Sequence, residues 1–126
     1  MGQGNLIDTN TAIDYLAALL PVNATEVIEA IEAQISVVTR IELLAWPNAT
    51  NDDTKMLLSF ISNCIVINLS EPIVLKTIEI RKNYKLKLGD AIIAATAILD
   101  ELDLYTRNVK DFDKIPGLKI IDPYLL

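Results

Sequence analysis

Five short apolar runs alternate with helical periodicities along the chain, and this alternation constrains the fold more than any other feature. The runs at residues 5–8, 35–38, 64–69, 104–106 and 118–121 are strand-length and rich in Ile, Leu and Val. Between them, apolar residues recur at three- and four-residue spacing over 11–20, 25–34, 39–46, 51–62, 71–84 and 88–102. Pro21 and Pro47 are expected to close the first and third helices, and Asn51-Asp52-Asp53 to cap the fourth. The helix at 88–102 carries Ala91, Ala94, Ala95 and Ala97, small side chains that permit close packing. Pro116-Gly117 turns into the last strand and Asp122-Pro123 ends it. Such alternation, with some strands lacking a polar face, indicates an α/β fold built on a mostly parallel sheet of about five strands.

Composition then narrows the chemistry. At 126 residues the chain reads as one domain, 1–126, with Met1-Gly2-Gln3-Gly4 as a flexible leader of no assigned role. No window holds the roughly 18 apolar residues of a membrane span, and no secretory signal opens the chain, so a cytoplasmic protein is expected. Cys64 is the single cysteine, which excludes an intrachain disulfide and reads as a small buried hydrophobe. Histidine is absent. That removes most zinc sites, the Ser-His-Asp and Cys-His triads, and any histidine base. What remains is carboxylate, hydroxyl, lysine and arginine chemistry, and oxygen-only sites favour hard cations such as Mg²⁺ or Mn²⁺. The net charge of −6 argues at first against a nucleic-acid partner. If four of the 17 acids are metal ligands, however, the rest nearly balance the 11 basic residues.

Four acids stand out by their place in the alternation. Asp8 follows the first strand, and Glu42 lies in Thr39-Arg40-Ile41-Glu42 after the second. Asp90 begins the helix Leu88-Gly89-Asp90-Ala91, and Asp111 lies in Thr106-Arg107-Asn108-Val109-Lys110-Asp111 after the fourth strand. Each also has a purely structural explanation. Thr39 to Glu42 and Asn108 to Asp111 have capping-box spacing, and Asp8 and Asp90 suit helix starts. Taken singly, the cap is the better reading. Taken together the acids point elsewhere, because a parallel sheet brings every strand-to-helix junction to its carboxyl edge, where ligands bind. Asp8, Glu42 and Asp111 come from three such junctions. Asp90 joins them only if its helix starts at the same edge. Four converging carboxylates repel one another unless a cation is present, and one or two Mg²⁺ ions would suit metal-assisted phosphodiester hydrolysis.

Asp8-Thr9-Asn10, Thr39-x-x-Glu42, Leu88-Gly89-Asp90-Ala91-Ile92-Ile93-Ala94-Ala95 and Thr106-Arg107-Asn108-x-x-Asp111-Phe112 occur in this order, followed by Asp122-Pro123. Together they resemble the PIN-domain ribonucleases of the VapC toxin group, across essentially the whole chain. The resemblance implies a PIN-like three-layer α/β/α fold and an acidic quartet of Asp8, Glu42, Asp90 and Asp111. That quartet would bind Mg²⁺ or Mn²⁺ and activate a water, with Asp8 as the central ligand. Thr106 and Asn108 match the family's polar positions beside the site, and Thr9 and Asn10 would help hold the Asp8 turn. It further implies an RNA substrate, often transfer or ribosomal RNA, a cognate antitoxin, and commonly a homodimer.

Arg81, Lys82, Lys85 and Lys87 precede Asp90, and Arg107, Lys110 and Lys114 surround Asp111. They read equally as an RNA backbone track or as solvated cations at helix ends. Asp100, Glu101 and Asp103 read as solvated surface. Trp46 and Leu43-Leu44 fit either the core or a partner groove. Competing functions are a non-catalytic PIN-like module that binds RNA or protein, a housekeeping RNA-processing nuclease without an antitoxin, and a small-molecule phosphatase. A receiver-type phosphoacceptor, which wants an acidic pair after strand one and a lysine after the last strand, fits less well, since Asp8 is followed by Thr9-Asn10 and Asp122-Pro123 follows strand five. A short neighbouring gene encoding a DNA-binding N-terminus would favour the toxin.

Overall fold

β1 (Asn5–Ile7) lies at the centre of a five-stranded sheet. On one side come β2 (Ala33–Ser36) and β3 (Ile65–Ile67); on the other come β4 (Asp103–Tyr105) and β5 (Lys119–Ile121). All four pairings are parallel, with Leu6 beside both Gln34 and Leu104. The computed structural model describes residues 4–126. Residues 1–3 of the expected leader lie outside them. Gly4, its last residue, is not free: its carbonyl accepts the Asp103 N–H at 3.0 Å, and a Cβ there would collide with Gln34 and Leu102.

Alternation along the strands builds two cores. Leu6 and Leu104 face one side, packed with Ile93, Ala94 and Phe112, while Ile7 and Tyr105 face the other, packed with Ala12, Ile28 and Leu57. The first side is covered chiefly by α5 (Glu71–Asn83) and α6 (Leu88–Leu99). The second is covered by α1 (Thr9–Leu16), α2 (Val22–Ala30), α3 (Val37–Leu44) and α4 (Asn51–Ser62). The result is the three-layer α/β/α arrangement expected. Seven consecutive residues of α6, Ala91 to Ala97, are buried, and this helix packs along α5 more extensively than any other pair of elements. The short α7 (Val109–Phe112) is anchored by Phe112, whose burial contributes about 2–3 kcal/mol.

Several boundaries differ from the sequence reading, each for a local reason. The first helix ends at Leu16, five residues before Pro21, because Ala18 takes a left-handed φ of 58°. Leu19 N–H then bonds the Asp14 carbonyl and Ala18 N–H the Tyr15 carbonyl, a Schellman closure made without glycine. Pro21 precedes α2 rather than closing α1, which moves the second helix from 25–34 to Val22–Ala30. Glu101, at φ 54°, closes α6 in the same way, three residues short of Leu102. The β-branched Val37-Val38 form the first turn of α3 instead of ending a strand. Ser36 caps that helix by accepting the Val38 N–H at 3.1 Å. The helix therefore runs over Val37–Leu44 rather than 39–46, and Thr39 is no cap. Thr50, not Asn51, caps α4, in a capping box closed by Asp53. Cys64 is half-buried rather than buried, and its thiol is pushed up to about 11 by what burial it has.

Candidate active site

Strand order reverses between β1 and β4, since the chain builds outward to β2 and β3 on one flank and to β4 and β5 on the other. In open parallel sheets the crevice at such a switch, outside the carboxyl ends, is where ligands bind. Asp8 is the first residue beyond β1 at this crevice. It is only 5 % exposed and caps α1, its Oδ1 accepting the Thr11 N–H at 2.9 Å. Its N–H continues the ladder to the Tyr105 carbonyl, to which the Thr11 hydroxyl also donates. Capping and placement at the crevice are thus the same act.

Glu42 reaches the crevice from the second turn of α3. Its Oε1 accepts the Thr9 hydroxyl at 2.5 Å, and Thr9 Oγ1 lies 3.0 Å from Thr39 Oγ1. The capping box suggested by Thr39-x-x-Glu42 does not form, which leaves this carboxylate directed at the N-terminus of α1. Gly89 permits the approach of α6: a Cβ there would sit 3.3 Å from both Glu42 Oε2 and Val38 Cγ1. Asp90 meets its condition. The turn after α6 leads directly into the amino end of β4, so the helix starts at the carboxyl edge, with Asp90 in its first turn. Asp111 stands on α7 and accepts Asn108 Nδ2 at 3.0 Å, while Asn108 N–H donates to Thr106 Oγ1 at 3.0 Å. Asn108 makes no side-chain cap bond, so this suggested cap is also absent.

Electrostatics shows that the four acids share one field. Burial raises the Asp90 carboxyl above its usual range, the charges of Asp8, Glu42 and Asp111 add to that rise, and Lys87 partly opposes it. Asp8 is raised chiefly by burial, against hydrogen bonds from Thr106 and Thr11 and the charge of Arg107. Among the described residues, no three of the acids already stand at chelating distance. Asp8, Asp90 and Asp111 line a cleft of about 560 Å³ together with Asn10 and Asn108, whereas Glu42 does not. Donors that are all oxygen, on acids whose charges repel one another, fit a hard divalent cation.

The same cleft also has basic lining. Arg81, Lys85 and Lys87 line the cleft together with Tyr84, whereas Lys82, Arg107 and Lys110 do not. Arg81 and Lys82 also complement the C-terminal dipole of α5. Lys114 donates to the Lys85 carbonyl at 3.2 Å and ties the α7 segment to that lining. Arg107 turns to Asp14, with a 3.0 Å ion pair. Sequence reasoning passed over Asp14 and Gly89. Asp14 lies within an ordinary helical pattern, and its partners are distant in the chain. Gly89 has helical neighbours and no signal of close approach.

A stability prediction follows from Asp90. Its folded-state pKa lies above the unfolded value, so its ionised form costs stability at neutral pH, and that cost fades as pH falls through the folded pKa. Asp90→Asn should therefore raise the Tm of metal-free protein at pH 7 by a few degrees, about 0.5–1 kcal/mol after solvent screening of this half-exposed group. The gain should shrink as pH approaches the usual carboxylate range. Calorimetry across pH 4–8 checks it; a variant less stable than wild type throughout would contradict it.

Residues 6–118 match the PIN domain family. No curated protein matches the chain. Among solved structures, the chain is similar to one in a toxin–antitoxin complex from Klebsiella pneumoniae. Identity is 35 % over 96 % of this chain and 98 % of that chain, with a TM-score of 0.79. It is also similar to a chain of DNA-bound VapBC from Salmonella typhimurium, 26 % identical over 95 % and 98 % of the two chains, TM-score 0.81. VapBC-1 from nontypeable Haemophilus influenzae, 24 % identical over 94 % and 96 % with a TM-score of 0.79, shares the fold.

Proposed function

The chain belongs to the PIN domain family, and from that premise we propose that it is a VapC-type toxin: an endoribonuclease dependent on a divalent cation and restrained by a cognate antitoxin. The observation that carries the reading is that Asp8, Asp90 and Asp111 line one cleft at the switch point, with Glu42 near enough that its charge, like those of Asp8 and Asp111, acts on Asp90. In this reading the same four residues would hold one or two Mg²⁺ or Mn²⁺ ions. A bound ion supplies positive charge, a more acidic water and a clamp on a phosphoryl oxygen.

The chain's own residues have separable tasks. Asp8, fixed by the Thr11 N–H and the Thr106 hydroxyl, is the most rigid carboxylate and would orient the others. Thr9 holds Glu42, and Asn108 holds Asp111, so each exposed acid has one partner that restricts its rotamers. Asp90, whose carboxyl is raised by burial and by the three other acids, is a group whose charge a bound cation would relieve. Arg81, Lys85 and Lys87 line the cleft beside the acids and would hold the RNA backbone there, with transfer or ribosomal RNA as the expected class.

The antitoxin would sit at a different surface. A second cleft of about 570 Å³, between α1, α3 and α4, is lined by Ile13, Leu16, Leu43, Trp46, Met56 and Leu57, with Glu42 and Asp53 on its border. Leu43 belongs to the core, whereas Ile13, Leu44, Trp46 and Met56 remain exposed. Because Glu42 stands on this border and its charge also acts on Asp90, an apolar segment seated here would reach the edge of the acid cluster. A homodimer and a cytoplasmic site of action complete the proposal. Among the described residues, no helix is long and apolar enough to cross a membrane.

The test is cleavage of single-stranded RNA by antitoxin-free protein. Cleavage with Mg²⁺ or Mn²⁺ that stops on adding chelator is expected. Cleavage indifferent to chelator, or RNA binding without cleavage even in Mn²⁺, would overturn the proposal in favour of a binding module.

A further inference from the structure

Asp14 is a carboxylate 5 % exposed, six residues along α1 from Asp8, and the acid cluster does not use it. A buried carboxylate persists only when its charge and lone pairs are met. Two groups from distant parts of the chain meet it. Arg107 Nη1 lies 3.0 Å from its Oδ2, and the Tyr124 hydroxyl donates to the same oxygen at 2.6 Å. The Arg107 guanidinium also stands over the Tyr124 ring, 5.9 Å from its centroid. Tyr124 itself is held by the turn in which its N–H donates to Asp122 Oδ1 at 2.9 Å.

Arg107 sits between two residues that serve the candidate site. Thr106 hydrogen-bonds to Asp8, and Asn108 donates to Asp111. Consecutive residues of one loop therefore grip two acids of one helix, Thr106 at Asp8 and Arg107 at Asp14. One grip alone would leave the loop free to pivot about Thr106. Two grips set both its position and its direction, and Asp111 is carried at its far end. We propose that Asp14 is a positioning residue: through Arg107, and with Tyr124 as a brace, it fixes the 106–111 loop so that Asp111 faces Asp8 and Asp90 across the crevice. The inference rests on the nuclease reading for its effect on activity, and on contacts alone for its effect on the loop.

Two measurements separate these. Amide hydrogen exchange on metal-free protein should show residues 106–111 exchanging about tenfold faster in Asp14→Asn and in Arg107→Met, with α4 unchanged. In RNA cleavage, each variant should lose about ten- to hundredfold in kcat with KM within about twofold, because misplacement of a ligand far from the substitution acts on the chemical step. The double variant should be no worse than the poorer single, and Arg107→Lys should recover part of the loss. Tyr124→Phe keeps the ring beneath Arg107 and should cost only about twofold. Unchanged exchange in both single variants would overturn the proposal, as would equal acceleration in α4, which means general destabilisation. A raised KM in Arg107→Met with Asp14→Asn unaffected would also overturn it and make Arg107 a substrate contact. If wild type cleaves no RNA the function proposed above fails, and the exchange result still decides the role of Asp14.

Discussion

Asp8→Asn is expected to lower kcat for RNA cleavage by about 10³-fold or more while leaving the chain folded. The asymmetry comes from the two tasks of this residue. As a cap, Asp8 uses one oxygen to accept the Thr11 N–H, and asparagine is as good a cap as aspartate. As the buried centre of the acid cluster, it contributes a full negative charge that an amide cannot replace. Several kcal/mol of transition-state stabilisation then disappear, with a change in stability of about 1 kcal/mol or less. Kinetics with circular dichroism on the same preparation checks both halves. Activity within tenfold of wild type would remove Asp8 from the site.

The second large effect is expected at the apolar cleft. Trp46→Asp and Ile13→Asp should each weaken binding of a cognate antitoxin by about 30- to 1,000-fold, the range for a central apolar anchor. Both side chains are close to half exposed, so neither change hollows the core. RNA cleavage by the isolated chain should be unaltered, because neither residue lines the acidic cleft. Calorimetric titration with the purified antitoxin is the measurement. Full affinity in both variants would place the antitoxin elsewhere.

Much of this arrangement was legible in the sequence because a parallel sheet is a strong ordering device. Once five strands alternate with helices, the residues after β1, β2 and β4 must reach one edge, whatever the details of packing. The cap readings were harder to judge from spacing. Asp8 proved to be both cap and crevice residue, whereas Glu42 and Asp111 make none of the capping contacts their spacing suggests. The decisive shift is Ser36, which caps α3 three residues before Thr39 and frees Glu42 to meet Thr9. Val37 and Val38 hid that boundary, because β-branched residues favour strands until a cap outweighs them. Left-handed Ala18 and Glu101 were equally hidden, since nothing in either side chain announces a Schellman closure. Asp14 could not be paired from sequence at all, with Tyr124 lying 110 residues away.

The claim beneath the whole account is that four acids from four elements form one cation site. Titrating Mn²⁺ into wild type and into Asp8→Asn, Glu42→Gln, Asp90→Asn and Asp111→Asn tests it directly, with Asp100→Asn, an exposed acid at the exit of α6, as the control. Every substitution in the quartet should weaken binding, Asp8→Asn most and Asp111→Asn least, and the control should match wild type. Binding that survives in all four variants, or falls equally in the control, would contradict it.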